Sequence, residues 1–314
     1  MFLEQGVKKG NEFWKYLLGS VVIIFAAVIG QIPLGIAVAI KSYTSKKVLL
    51  DTTEALNSLD SNWSLFLIMI SFIAAFGGIL LVVNNFHKQT LLEITTSRNK
   101  IDWSRVFFSF GLWAIFTIAT TLLTYYTSPN DMVWNFKPIP FAVLFVIASL
   151  LIPVQTTVEE YVFRGYLMQG FANLARNKWF PLMMTSIIFG SMHILNPEVG
   201  KMGYSILIYY IGTGLFLGII TLMDDGMELA IGFHAANNLV TALLVTSDWT
   251  AFKTNSIFRD VSTPSAGFQI FIPVFVIFPL LLLVFSKKYN WNNWKEKLTS
   301  NIKTTTNLNA EYYD

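Results

Sequence analysis

The sequence predicts an all-α, polytopic transmembrane helical bundle of about eight spans. Three observations carry that fold class. Of 314 residues, 54% are hydrophobic. Only 13% are charged, about half the share of an ordinary soluble domain. Apolar runs near the twenty or so residues needed to cross a bilayer recur along the whole chain. The runs are continuous rather than alternating, and in lipid only helices or closed barrels satisfy the backbone, so helices are expected.

The expected spans cover residues 16–40, 65–83, 106–126, 141–158, 180–195, 204–223, 229–245 and 268–285. The first fifteen residues are polar and lead straight into the first span, without a short apolar stretch and small-residue cleavage site. Residues 1–314 read as one integral membrane domain, residues 141–245 as its core helices and residues 287–314 as a polar cytoplasmic tail. That tail begins with Lys and Trp, which suits a lipid surface or plain solvation. Most of the 22 Lys and Arg fall on one side if the N-terminus is cytoplasmic, which puts both termini inside.

Composition also excludes classes. The chain has no Cys, which removes disulfides, thiolate catalysis and Cys-ligated metals. A net charge of +3 without a basic cluster gives no case for nucleic acid. Membrane lipid is an expected partner.

Ionisable groups are sparse in the first three spans and concentrate later. Such groups are expensive in lipid and by default mark a functional site. The stretch Val158-Glu159-Glu160-Tyr161-Val162-Phe163-Arg164, read as a helix, puts Glu160 and Arg164 on one face as an ion pair. Glu159 lies about 100° round the helix and is left for other work. Alone, this is equally a helix end with a structural ion pair. Phe189 and His193 share a face at four-residue spacing, and a lone His there is more often a hydrogen-bonded core residue. His234 and Asn238 share another face, with Asn237 beside them. Two alanines between them allow close approach, and interhelical hydrogen bonding is their structural alternative.

If the chain turns near Asn177, Glu159 and His193 both lie roughly 25 Å from that turn. His234 lies roughly 13 Å from its own end at Asp225. The mismatch disappears if the hairpin around Asn177 projects beyond the bilayer or tilts strongly. Arg164, Gln169 and Asn173 make that stretch more polar and favour projection, and the groups then meet in the cytoplasmic half of the membrane. Pro153 is placed to kink the helix just before the acids.

The order Glu-Glu-x-x-x-Arg, Phe-x-x-x-His, His-x-x-x-Asn resembles the three signatures of the CPBP (CAAX protease and bacteriocin-processing, Abi) intramembrane endopeptidases, which include the type II CAAX prenyl endopeptidases. Each motif is weak alone; three in order within one multi-span chain are specific. The resemblance covers roughly residues 141–245. It implies that Glu159 is the catalytic glutamate and that His193 helps it hold the attacking water. It implies an oxyanion-stabilising role for His234 and Asn238, with Glu160, Arg164 and Phe189 in support, and a peptide or membrane-protein substrate.

With no Cys and no G-x-S-x-G elbow, water is the expected nucleophile and Glu159 its proton acceptor. No cofactor is firmly implied. Zinc held by Glu159, His193 and His234 is the close variant, although the helix-borne H-E-x-x-H pattern is absent. Two other classes compete: a non-catalytic membrane scaffold or immunity protein of the same fold, and a proton- or ion-coupled transporter.

Overall fold

The computed structural model describes residues 1–8, 10–46, 52–250, 253–264 and 267–302. Its helices, in chain order, are α1 (Phe13–Gly30), α2 (Ile32–Ser45), α3 (Thr52–Asn57), α4 (Ser61–Asn85), α5 (Leu91–Thr95), α6 (Trp103–Thr127) and α7 (Pro138–Glu160). They continue as α8 (Met168–Ala175), α9 (Trp179–Ser191), α10 (Pro197–Met202), α11 (Leu207–Asp224), α12 (Glu228–Leu244), α13 (Phe278–Tyr289) and α14 (Trp294–Thr299). A π-helical segment, Tyr161–Leu167, joins α7 to α8. Three short strands, β1 (Met132–Trp134), β2 (Val245–Ser247) and β3 (Phe258–Asp260), form a small sheet in the order β1-β3-β2.

Starts and stops follow local chemistry. The Asp60 carboxylate accepts the first free backbone N–H groups of α4, and Asp102 does the same for α6. Thr90 and Glu93 close a capping box on α5. Pro138 opens α7, where a missing N–H does no harm. Pro153 sits inside α7 without ending it, and helical backbone runs from Pro138 to Ala175.

Among the described residues, five helical stretches are long and apolar enough to cross a membrane: Phe13–Ser45, Ser61–Asn85, Trp103–Thr127, Pro138–Ala175 and Tyr204–Asp224. The other three expected spans are shorter or broken. α9 stops at Ser191 in a turn that carries His193. The stretch before α13 is 3₁₀ and then π-helical. α12 has 17 residues and lies largely buried among its neighbours, so its length answers to protein packing rather than to bilayer thickness. α1 and α2 instead turn large apolar side chains outward, Ile24, Phe25 and Ile36 among them. In water that surface would drive association; here it suits a multi-pass membrane protein.

Packing depends on close backbone approach, because lipid gives helices no hydrophobic reason to associate. At Gly232 of α12, an added Cβ would lie 2.1 Å from the Val106 carbonyl oxygen of α6. Aromatic side chains fill the core behind that contact. Phe216 stacks on Phe278 at 4.6 Å, and Trp113 meets Phe233 at 4.4 Å.

The two ends of the bundle differ. At one end Phe2, the 96–98 loop and Lys297 all bond to Asp225 or its neighbours. Arg98 pairs there with Asp224 (3.0 Å) and Glu228 (3.1 Å), and the Trp291 indole donates to Asp224 (3.2 Å). The chain beyond α13 also docks at this end. Trp291 and Ile302 are buried, and the Ile302 amide donates to the Arg176 carbonyl (2.9 Å). The segment expected at the lipid surface or in solvent is thus held against protein as far as Ile302; residues 303–314 lie outside the described residues. The strands lie at the other end. The stretch Pro138–Ala175 spans 38 residues, or roughly 57 Å at the helical rise, against a hydrocarbon core of about 30 Å. Its far end, α8, packs on Leu3–Gly6 and α9, so the hairpin near Asn177 is covered by the N-terminal segment.

Candidate active site

Glu159, His193, His234 and Asn238 line one cavity of about 420 Å³ together with Phe189. The side chains expected to converge therefore do so, from α7, the turn after α9, and α12. Ile23, Ile24 and Ala27 of α1 form part of the opposite wall. A second cavity of about 400 Å³ shares Gln155, Asn196, Tyr209, Tyr210, Asn237 and Asn238 with the first. It continues toward the sheet end, to Trp249 and Asp260.

Glu159 and Glu160 have different surroundings, as their angular separation predicts. Glu160 is fully buried, and its Oε1 accepts from Arg164 Nη1 at 2.9 Å. Arg164, equally buried, donates through Nη2 to the Gly214 carbonyl (3.1 Å) and lies over the Phe189 ring at 4.5 Å. Gly214 is required there, since an added Cβ would press on Ser186 at 2.9 Å. The Glu160–Arg164 pair crosses the start of the π-helical segment, a feature frequent at functional sites. Glu159 lies at the cavity, with Oε1 accepting from Gln155 Nε2 at 2.5 Å and Oε2 standing 3.5 Å from His234 Nε2.

Each imidazole is oriented by its partner. His193 Nδ1 lies 2.8 Å from the Phe189 carbonyl oxygen. A carbonyl only accepts, so in the neutral ring Nδ1 donates and Nε2 is left as an acceptor. The ring also stacks on Tyr210 at 4.2 Å. His234 Nδ1 is 2.7 Å from Glu160 Oε1. Carboxylates thus stand at both of its nitrogens, an arrangement that accommodates a ring donating on both sides.

A zinc site needs three grouped donors with an open fourth position. Among the described residues no three His, Asp or Glu side chains are grouped to hold a metal ion. Glu159 and His234 offer two donors, and His193 stands apart from that pair.

Sequence reasoning missed two buried polar residues, of which the first belongs to the site. Gln155, one turn before Glu159, is buried and bonds both Glu159 and Asn238. A polar amide inside an apolar span was the available signal. His87 is the second. It lies outside the cavity, buried against Tyr16 at 4.1 Å and bonded to Tyr166 (3.0 Å) and Asn11.

Residues 138–240 match the family model described as type II CAAX prenyl endopeptidase Rce1-like. That segment resembles the Rce1-like family. It contains α7, the π-helical segment, α9 and most of α12, and so Glu159, Glu160, Arg164, Phe189, His193, His234 and Asn238. A curated relative, the uncharacterized protein YyaK of Bacillus subtilis (strain 168), is 28% identical over 241 residues, covering 76% of this chain and 80% of its own. No solved structure matches. The family is a protease family, so the Rce1-like match supports a CAAX-type intramembrane protease at the level of the family and a peptide or protein as substrate.

Proposed function

We propose that this protein is an intramembrane endopeptidase in which water, activated by Glu159, attacks a peptide carbonyl in the cavity between α7, α9 and α12. The observation that carries the reading is the convergence of one carboxylate, two imidazoles and an amide on a single hollow. Glu159 accepts the water's proton on Oε2, because Oε1 is engaged by Gln155. His193, with Nε2 as acceptor, holds the same water. His234 and Asn238 donate to the developing oxyanion, each such donor being worth roughly 3 kcal/mol in comparable sites. Proton transfer from protonated Glu159 to the departing amine completes the cycle.

The two joined cavities suit an extended peptide segment, and the apolar wall of α1 suits one that arrives within the lipid. The reading takes no metal. Chelated protein shown by elemental analysis to be zinc-free should keep its activity; activity lost with the metal and restored by zinc would overturn that part. Both termini are assigned to the cytoplasmic side.

The decisive comparison is peptidomics of membranes holding the native protein or Glu159→Gln. A peptide end present with the native protein and absent with the folded variant identifies both activity and substrate. Identical peptide ends in the two would leave the scaffold reading in its place.

A further inference from the structure

The cavity wall holds a chain of side-chain hydrogen bonds with a single direction. Trp113 Nε1 donates to Asn237 Oδ1 at 3.0 Å. Asn237 Nδ2 donates to Asn238 Oδ1 at 3.0 Å. Asn238 Nδ2 donates to Gln155 Oε1 at 3.3 Å, and Gln155 Nε2 donates to Glu159 Oε1 at 2.5 Å. The chain crosses three helices, α6, α12 and α7. Trp113 and Gln155 are buried.

Its two ends admit only one direction. An indole nitrogen can only donate and a carboxylate can only accept. The three amides between them must therefore all point the same way, since turning one would set donor against donor or oxygen against oxygen. For Asn238 the consequence is chemical. Its oxygen is held by Asn237 and one N–H by Gln155, so the hydrogen left over for the cavity belongs to the second N–H. A turned Asn238 would offer an oxygen to the oxyanion instead. For Glu159 the consequence is directional: Oε1 is occupied, and Oε2 is the oxygen left for the water.

We infer that Gln155, with Trp113 and Asn237 behind it, is a positioning residue that fixes both the proton acceptor and the oxyanion donor of the site. The inference rests on the proteolytic reading above and adds three residues to it.

The test uses full-length protein in proteoliposomes of phosphatidylethanolamine and phosphatidylglycerol, with a pool of membrane-anchored fluorogenic peptides. Gln155→Met removes both bonds; kcat should fall about ten- to hundredfold, with KM changed less than twofold. Gln155→Glu keeps the acceptor for Asn238 but sets a second carboxyl against Glu159. The two then share a proton, and the acidic limb of the pH–rate profile should move to higher pH. Trp113→Phe should lower kcat several-fold, and Trp113→His, which retains a donor, should restore part of it. Thermal unfolding in detergent reports folding of each variant. A folded Gln155→Met protein with more than half of the native kcat, or a Gln155→Glu profile that overlays the native one, overturns the inference while leaving the proteolytic reading intact. A native protein no more active than Glu159→Gln overturns the reading itself. A readout independent of turnover is the ¹⁵N side-chain amide signal of Gln155. Glu159→Leu should move it upfield as the charge-assisted bond is lost, and an unmoved signal denies the bond.

Discussion

Removing the Arg164 guanidinium should strand a carboxylate, and the expected loss is large. Glu160 and Arg164 are both fully buried and 2.9 Å apart. Glu160 Oε2 has no hydrogen-bond partner among the described residues, so Oε1 carries all of its compensation, from Arg164 and His234. Two magnitudes compete. If the pair were worth no more than an average polar contact within a membrane bundle, deletion would cost about 0.6 kcal/mol. If Arg164 neutralises a buried charge, Arg164→Met should cost about 3–5 kcal/mol. Removing both charges, as Glu160→Gln with Arg164→Met, leaves no stranded charge, although the Gly214 carbonyl still loses its Arg164 donor, and should cost less than the single change. Unfolding in mixed micelles with increasing dodecyl sulfate, followed by the fluorescence of the nine Trp, measures the native protein, Arg164→Met, Glu160→Gln and the double variant. A single variant within about 1 kcal/mol of native, or a double variant as costly as the two singles together, refutes the reasoning.

Two further outcomes follow from the two ends of the bundle. Burial, and then the nearby Lys15 charge, push the His87 imidazole down to about 4 from an ordinary 6.5. The folded form therefore holds the neutral ring, and its contribution is complete above about pH 6.5 and drains as pH falls toward 4, by up to about 3 kcal/mol. Thermal unfolding in detergent should show a steeper acid loss for the native protein than for His87→Asn; parallel curves would remove His87 as the cause. Because the native chain has no Cys, Lys297→Cys and Arg259→Cys can be labelled singly in intact cells. An impermeant maleimide should reach position 259 and not 297, and the reverse would invert the assigned orientation.

Helical class and the four cavity residues were legible because their signals are local: continuous apolar runs, and a few polar groups at helical spacing within them. The Glu160–Arg164 pair was legible for the same reason. Span number was less so. The 180–195 and 268–285 runs have the composition of crossing helices, but composition does not register the turn after Ser191 or the π-helical stretch Pro273–Ile277. The docking of the last helix was not legible at all. Trp291 and Lys297 look like surface anchors until Asp224 and Asp225, about seventy residues earlier, are seen to receive them. Gln155 escaped because one amide in an apolar run carries no spacing pattern. Its meaning comes from Asn238, 83 residues away.

Polar bookkeeping in the membrane bears on how the site works. Water is absent from the hydrocarbon, so each polar group there needs a protein partner or a wet cavity. Along the site the protein partners run in chains: Trp113 to Glu159 through three amides, and Arg164 to His234 through Glu160. When those are assigned, a short set of valences remains at the hollow: Glu159 Oε2, His193 Nε2, the Nε2 edge of His234 and one N–H of Asn238. They comprise acceptors to take hydrogens from a water and donors to receive a negative oxygen. A hollow closed to water would leave Glu159 Oε2 and His234 Nε2 only each other, at 3.5 Å, and would give His193 Nε2 and the Asn238 N–H nothing from this set, whereas a wet one satisfies them while it waits for substrate. The same set of open valences therefore requires that water reach the cavity, and supplies the groups that would act on it.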